Sequence, residues 1–276
     1  MKRLLEIGVY AVTVCVLSTA LATTSRAAIN AKDVAGVWLF DEGKGSTATD
    51  SSGNGNDGAL LGNAKWVAGK RGSAVSLDGA DASYIQMKSS DSLNMNDEMS
   101  VTFWVNTTKQ MVDMWADRQV VVGKHYLEYE VGIYMDAQLH TYTSNSAGDY
   151  DEGIMTSFKG KHPDGDADWI KDKWYHVAWT LKGQHEIAYV NGVLLSEFDK
   201  SHAGTKPGDH PLEVGRRSGG GIPVLGAVDE VGIFKVALSE ADIKVITTSG
   251  LGAALGVTPV EPKDKLATTW ADVKRR

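Results

Sequence analysis

Trp174-Tyr175-His176-Val177-Ala178-Trp179-Thr180-Leu181, with Ile187-Ala188-Tyr189-Val190-Asn191-Gly192-Val193-Leu194-Leu195 shortly after it, decides the class of fold. In the first run Tyr175, Val177, Trp179 and Leu181 alternate with Trp174, His176, Ala178 and Thr180. A period of two places the first set on one face of a strand, and that face is apolar enough to belong in a core. Asn191-Gly192 sits between two apolar runs, and both central positions of a tight hairpin turn need positive φ, so a β-hairpin is predicted there.

Working outward, runs of the same kind recur along the chain. They include Gly36–Phe40, Ala74–Leu77, Tyr84–Met87, Met99–Val105, Val120–Val122, Tyr129–Tyr134, Leu139–Thr143, Glu186–Val190 and Val228–Phe234. Most are four to seven residues long, rich in Val, Ile, Trp, Tyr and Phe, and bounded by Gly, Asn, Asp and Ser, which is the strand signature. Regular short strands with such turns predict an all-β sandwich or barrel, and no parallel βαβ rhythm competes. Helix is expected over Ser239–Ile246, where Ser239 caps and Asp242 occupies the capping-box position, with a second candidate around Leu266–Val273. Thr107–Gln119 and Ser144–Asp172 are long insertions, and loops of that length inside a sandwich are where function tends to sit.

Residues 1–27 have the composition of an export leader: Lys2 and Arg3, an apolar run from Ile7 to Leu21, then Ser25-Arg26-Ala27. The run is about 15 residues long, shorter than the ~20 a membrane span needs, so cleavage after Ala27 is expected, with an uncleaved anchor as the alternative. The mature chain then has no transmembrane span and is secreted, periplasmic or displayed at the cell surface. Cys15 is the only cysteine and falls inside the leader, which excludes disulfides and cysteine-based metal sites from the mature chain. Loss of Lys2, Arg3, Arg26 and Glu6 leaves 25 basic against 34 acidic residues, a charge of −9. So acidic a chain argues against nucleic acid or anionic lipid as partner. The expected organisation is a leader over 1–27, one domain over 28–252, and a linker with a basic tail over 253–276.

An ordered set of segments resembles the laminin-G-like, concanavalin A-like jelly-roll family. Val37-Trp38-Leu39-Phe40-Asp41-Glu42-Gly43 precedes Asp50-Ser51-Ser52-Gly53-Asn54-Gly55-Asn56-Asp57-Gly58. Ala74-Val75-Ser76-Leu77-Asp78-Gly79 leads to Asp81 and Tyr84-Ile85, and Ser100-Val101-Thr102-Phe103-Trp104-Val105 follows. Trp174–Thr180 with Tyr189–Gly192 is the most diagnostic pair, and Gly226–Phe234 with Ala237-Leu238-Ser239 closes the series. The resemblance implies a two-sheet antiparallel jelly-roll sandwich with one short helix near the end of the domain. It also implies a structural calcium ion, for which the matching positions are Asp78, Asp81 and Asp229; the same residues are equally ordinary turn formers.

Related folds include β-glucan hydrolases with a Glu-x-Asp-x-x-Glu strand. Glu197-Phe198-Asp199 continues to His202 where the second glutamate is required, and Glu240-Ala241-Asp242 ends at Val245. Neither supplies the carboxylate pair that retaining chemistry needs. Glu128 and Glu130 share one side of a strand, as paired acids or as a solvated face. Asp164-Gly165-Asp166-Ala167-Asp168 opens like a calcium loop, but Trp169 and Tyr175 stand where an EF-hand needs Gly and an acidic ligand. Binding is the class that survives. Alternation puts Glu128, Glu130 and Tyr134 on the solvent face, opposite Tyr129, Val131 and Ile133, with His140 and Tyr142 joining from the neighbouring strand. Tyr126, Tyr150 and Asn145 belong to the same segment, and Trp115 and Trp169 are further candidate platforms. The expected partner is a glycan or glycosylated surface, alternatively an extracellular or cell-surface protein in an adhesion or matrix role; a divergent glycoside hydrolase is the third reading.

Overall fold

The period of two seen in Trp174–Leu181 is realised in space: Tyr175, Val177, Trp179 and Leu181 are all fully buried in one large core. The structure, a computed structural model, describes residues 29–109, 117–134, 138–145, 147–148, 150–153, 156–157 and 171–257. The leader segment 1–27, the Asp164–Asp168 run and the candidate helix around Leu266–Val273 lie outside the described residues.

In chain order the first strands are β1 (Val34–Trp38), β2 (Thr47–Ala48), β3 (Gly58–Leu61), β4 (Lys65–Ala68), β5 (Ser73–Asp78), β6 (Tyr84–Met87), β7 (Glu98–Thr107) and β8 (Gln119–His125). Next come β9 (Tyr129–Tyr134), β10 (Gln138–Ser144), β11 (Tyr150–Glu152), β12 (Thr156–Ser157), β13 (Tyr175–Lys182), β14 (His185–Val190), β15 (Val193–Asp199), β16 (Leu212–Val214) and β17 (Leu225–Phe234). Helices α1 (Glu240–Ser249) and α2 (Leu251–Leu255) follow.

Two antiparallel sheets result. The first runs β15-β14-β13-β7-β17-β5-β4, with β1 also on β17; the second runs β11-β10-β9-β8-β16-β6-β3-β2, with β12 on β10. Sequence-distant neighbours such as β7 beside β17 and β8 beside β16 are the crossovers of a jelly roll. The core between the sheets holds Trp38, Phe40, Phe103, Val131, Ile133, Trp179, Leu212 and Val231. The predicted hairpin joins β14 to β15, with Asn191 at φ 50° and Gly192 at φ 78°.

The helices form a third layer. Ile243, Ile246, Leu251 and Ala254 pack with Val37, Ala178 and Phe234 on the outer face of the first sheet. Ser239 caps α1 in a reciprocal box with Asp242, as the sequence predicts. Within the domain one helix was expected, and among the described residues two are found: Gly250, at φ 90°, breaks the run, and the five residues of α2 are too few to show a period of 3.6. Among the described residues no helix is long and apolar enough to cross a membrane.

Candidate functional site

Strand register builds the site on the outer face of the second sheet. Directly opposed residues share a face, and one row crosses five strand pairings: Tyr142, Glu130, Gly123, Glu213, Gln86 and Ala59. Their neighbours along the strands, among them Tyr129, Val131, Leu212, Val214, Ile85 and Met87, point into the core. In the next row His140 opposes Gly132. Both glycines permit close approach: a Cβ on Gly123 would lie 3.2 Å from the Glu130 side chain, and one on Gly132 would lie 3.1 Å from the Tyr134 ring.

Two adjacent arginines organise this face. After β16 the chain turns at Gly215 (φ 100°), and the side chains of Arg216 and Arg217 part. Arg216 lies 3.4 Å over the Tyr84 ring centroid and donates from Nε to Glu213 at 2.7 Å. Arg217 grips Glu130 with both a 2.8 Å and a 2.6 Å hydrogen bond, and its guanidinium lies 5.2 Å from Tyr126 and 5.4 Å from Tyr142. A bidentate pair of this kind is strong and fixes direction as well as charge. Burial pushes the Glu130 carboxyl above its ordinary value, against the pull of Arg217.

An aromatic wall stands beside this pair. Tyr126 meets Tyr150 edge-on at 5.8 Å and Tyr142 at 6.5 Å. His125 stacks on His210 at 4.2 Å with planes 6° apart, and lies 4.3 Å from Tyr126 with the rings tilted 35°. Below them Glu128 binds His210 Nδ1 at 2.6 Å and the fully buried Lys124 at 2.9 Å; Lys124 in turn donates to Asn94 and to the Gly208 carbonyl. Tyr150 is 57% exposed and offers a free ring face to solvent.

The structure corrects one expectation. Glu128, Glu130, Tyr134, His140 and Tyr142 do lie on or beside the outer face, but they do not face solvent: each is buried. The physical reason is Arg217, which crosses from the β16–β17 connection and covers Glu130, while Glu152 reaches Tyr142 Oη at 3.1 Å. His140 packs 4.2 Å from Tyr134 and 4.3 Å from Tyr142, with neither ring nitrogen hydrogen-bonded. Burial, with the charges of Arg217 and Arg118 nearby, pushes its pKa down to about 4, so it is neutral at pH 7. Trp115 and Trp169 lie outside the described residues. Arg217, Arg216 and His210 are the additions that sequence reasoning missed. The one local cue was a pair of arginines in an acidic chain, directly after Leu212-Glu213-Val214-Gly215 and shortly before Gly219-Gly220-Gly221.

The calcium positions do not converge. Hydrogen bonds from Ser83, then Asn63 and the Ala80 backbone, pull the Asp78 pKa down to about 2. Asp81 binds Gly221 N at 2.5 Å. Asp229 is elsewhere, fully buried opposite Trp104, and it accepts from Arg71 N. Along β17 Asp78 pairs at Leu225, four residues from Asp229, or about 13 Å of extended strand. Among the described residues no three His, Cys, Asp or Glu side chains group as metal ligands do. The residues implied by the resemblance therefore do not fit one ion.

A laminin-G-type profile described as the concanavalin A-like lectin/glucanases superfamily matches residues 78–244. No curated protein matches the sequence. Among solved structures, the binding domain of Paraclostridial Mosquitocidal Protein 1 superposes with a TM-score of 0.66 at 17% identity, over 79% of this chain and 52% of that one. Domain 4 of AbnA, a GH43 extracellular arabinanase from Geobacillus stearothermophilus in complex with arabinotriose, gives 0.59 at 19% identity, over 78% and 98%. The binding domain of botulinum neurotoxin DC in complex with rat synaptotagmin II gives 0.59 at 15% identity, over 79% and 52%. The chain thus spans about half the length of the toxin binding domains that it matches.

Proposed function

The chain belongs to the concanavalin A-like lectin/glucanases superfamily, and from that premise we propose that it is a non-catalytic binding module for a carbohydrate or glycosylated surface. The observation that carries this reading is the exposed Tyr150 beside the half-buried Tyr126, both backed by buried Tyr142 and the Arg217–Glu130 pair. Aromatic rings with an apolar face and a few fixed polar groups suit a sugar, whose ring has C–H faces and a hydroxyl rim. Both oxygens of Glu130 are taken by Arg217, and Glu128 is held by Lys124 and His210. Releasing either as a base or nucleophile would strand a buried charge, which supports binding over catalysis. The leader-like residues 1–27 support an exported location. That domain 4 of the arabinanase was solved with arabinotriose is consistent with a sugar ligand.

A protein partner has one specific observation in its favour. On the edge strand β15, Val193, Leu194 and Phe198 are 41%, 42% and 43% exposed, an apolar strip of the kind that adhesion surfaces use. A glycan array probed with the purified chain separates the two readings, and a reducing-sugar assay on the polysaccharides it retains tests for turnover. Retention of a defined glycan without turnover is expected. An empty array, or hydrolysis that disappears in Glu130→Gln, contradicts the proposal.

A further inference from the structure

Two cavities lie at one end of the sandwich, where β5, β7 and β8 meet the start of β17. The larger, about 370 Å³, is lined by Asp78, Lys109, Asp117, Arg118, Gln119 and the Ile222-Pro223 shelf. The smaller, about 290 Å³, includes Asn106, Thr108 and Asp172. Leu225 and Asp78 border both.

Their walls are set by main-chain bonds. Gly79 N donates to Val224 O, Val120 N to Ile222 O and Thr108 N to Leu225 O, each at 3.0 Å. Ile222 is held at φ 58°, a conformation that a β-branched residue adopts only when its surroundings impose it. Gln119 is 2% exposed, and its Oε1 accepts from Leu225 N at 2.9 Å. That bond fixes the amide, and Nε2 is left buried without a hydrogen-bond partner. In the neighbouring cavity Asn106 Oδ1 is likewise buried with no partner. Native proteins satisfy such groups, so an unsatisfied donor and an unsatisfied acceptor in adjoining cavities call for an explanation.

Across the two cavities Asp78, Asp117 and Asp172 face Lys109 and Arg118, a net charge of −1, and Lys109 pairs with Asp117 at 2.5 Å. So nearly balanced a lining suits a neutral polar ligand better than a free anion or cation. It has an apolar shelf, one amide donor, one amide acceptor and a carboxylate already positioned by Asn63 and Ala80. We infer that the two cavities are adjoining subsites for consecutive rings of a neutral saccharide, separate from the tyrosine wall, with Gln119 Nε2 donating to one ring and Asn106 Oδ1 accepting from the next. The inference rests on the reading of the chain as a glycan-binding module but concerns a different place on it.

The test is a set of ¹⁵N–¹H spectra of the full chain titrated with arabinotriose, maltotriose, cellotriose and mannotriose. The Gln119 side-chain amide reports on the end cavities and the Arg217 Nε–H on the tyrosine wall. Loss of one side-chain amide pair in Gln119→Glu assigns the former; that variant keeps an oxygen for Leu225 N and puts an acceptor carboxylate oxygen where the donor was. The expected result is a saturable shift of the Gln119 amide by at least one trisaccharide, unchanged in Tyr150→Ala and weakened tenfold or more in Gln119→Glu, read there from the Asn106 amide. A shift at Gln119 with Arg217 still supports this site and sinks the reading of the wall. Movement at Arg217 alone overturns this site and leaves that reading standing. No movement at either overturns both.

Discussion

Asp229 is the residue whose environment makes the sharpest prediction. It is fully buried beneath the helices, where burial, with repulsion from Glu230 and Asp41 against hydrogen bonds from Arg71 and Glu230, raises its pKa to about 8. Burial likewise raises Glu230 to about 7, although Arg71 Nε is 3.3 Å away. An acid whose folded pKa exceeds its unfolded value binds its proton more tightly when folded. It therefore lowers stability as pH rises from about 4 to its folded pKa. Asp229→Asn keeps an oxygen for Arg71 N and removes the charge. Its melting temperature is expected to exceed that of the wild type by several degrees at pH 8.5 and to approach it as the pH falls below about 4, the unfolded carboxyl's value; equal melting curves at pH 8.5 would refute the assignment. The sequence marks this residue only as a candidate calcium position, not as a buried acid. Its neighbours Arg71 and Asp41 are far along the chain, so a local pattern carries no trace of the buried cluster.

At the scale of elements, the strands with strong alternation were legible and the weak ones were not. Tyr84–Met87 and Tyr129–Tyr134 have the bounds that their apolar pattern predicts, and the Asn191-Gly192 turn has the predicted positive φ at both positions. By contrast Thr47–Ala48, Thr156–Ser157 and Leu212–Val214 are too short for a period of two to register, and Gly58–Leu61 does not alternate; they exist because neighbouring strands supply the pairing. The candidate site divides in the same way. Glu130, Tyr134, His140 and Tyr142 come from one hairpin and were found together, whereas Arg217 arrives from 87 residues away. Its arrival reverses their expected exposure. The helical layer makes a separate prediction. Leu251 is fully buried against the first sheet, so Leu251→Ala is expected to cost about 2–5 kcal/mol in urea unfolding, and Ser239→Ala about 1 kcal/mol through loss of the cap. A Leu251→Ala change below about 0.5 kcal/mol would mean that the helices are not docked as described.

For the whole molecule, the titrating groups oppose one another. Burial pushes His140 down to about 4 and His176 to about 3, so folding resists their protonation, and stability falls as pH drops below their unfolded value of about 6.5. Between about pH 4 and 6.5 this loss offsets the gain from Asp229 and Glu230. Above pH 6.5 the acids act alone, so the melting temperature is expected to fall from pH 6.5 to 8.5; a rise over that interval contradicts the account. The same molecule presents two sheets, a helical cover on one and a polar, tyrosine-walled face on the other. Covering one outer face and leaving the other partly open is the whole-molecule feature that the proposed site on the second sheet rests on. The most direct test is the dissociation constant of the strongest array ligand, measured by calorimetry for the wild type, Tyr150→Ala and Arg217→Ala. Tyr150 is exposed, so its removal is expected to weaken binding tenfold or more without lowering the melting temperature, and Arg217→Ala to weaken it at least as much. Unchanged affinity in both variants would contradict a glycan site on this face.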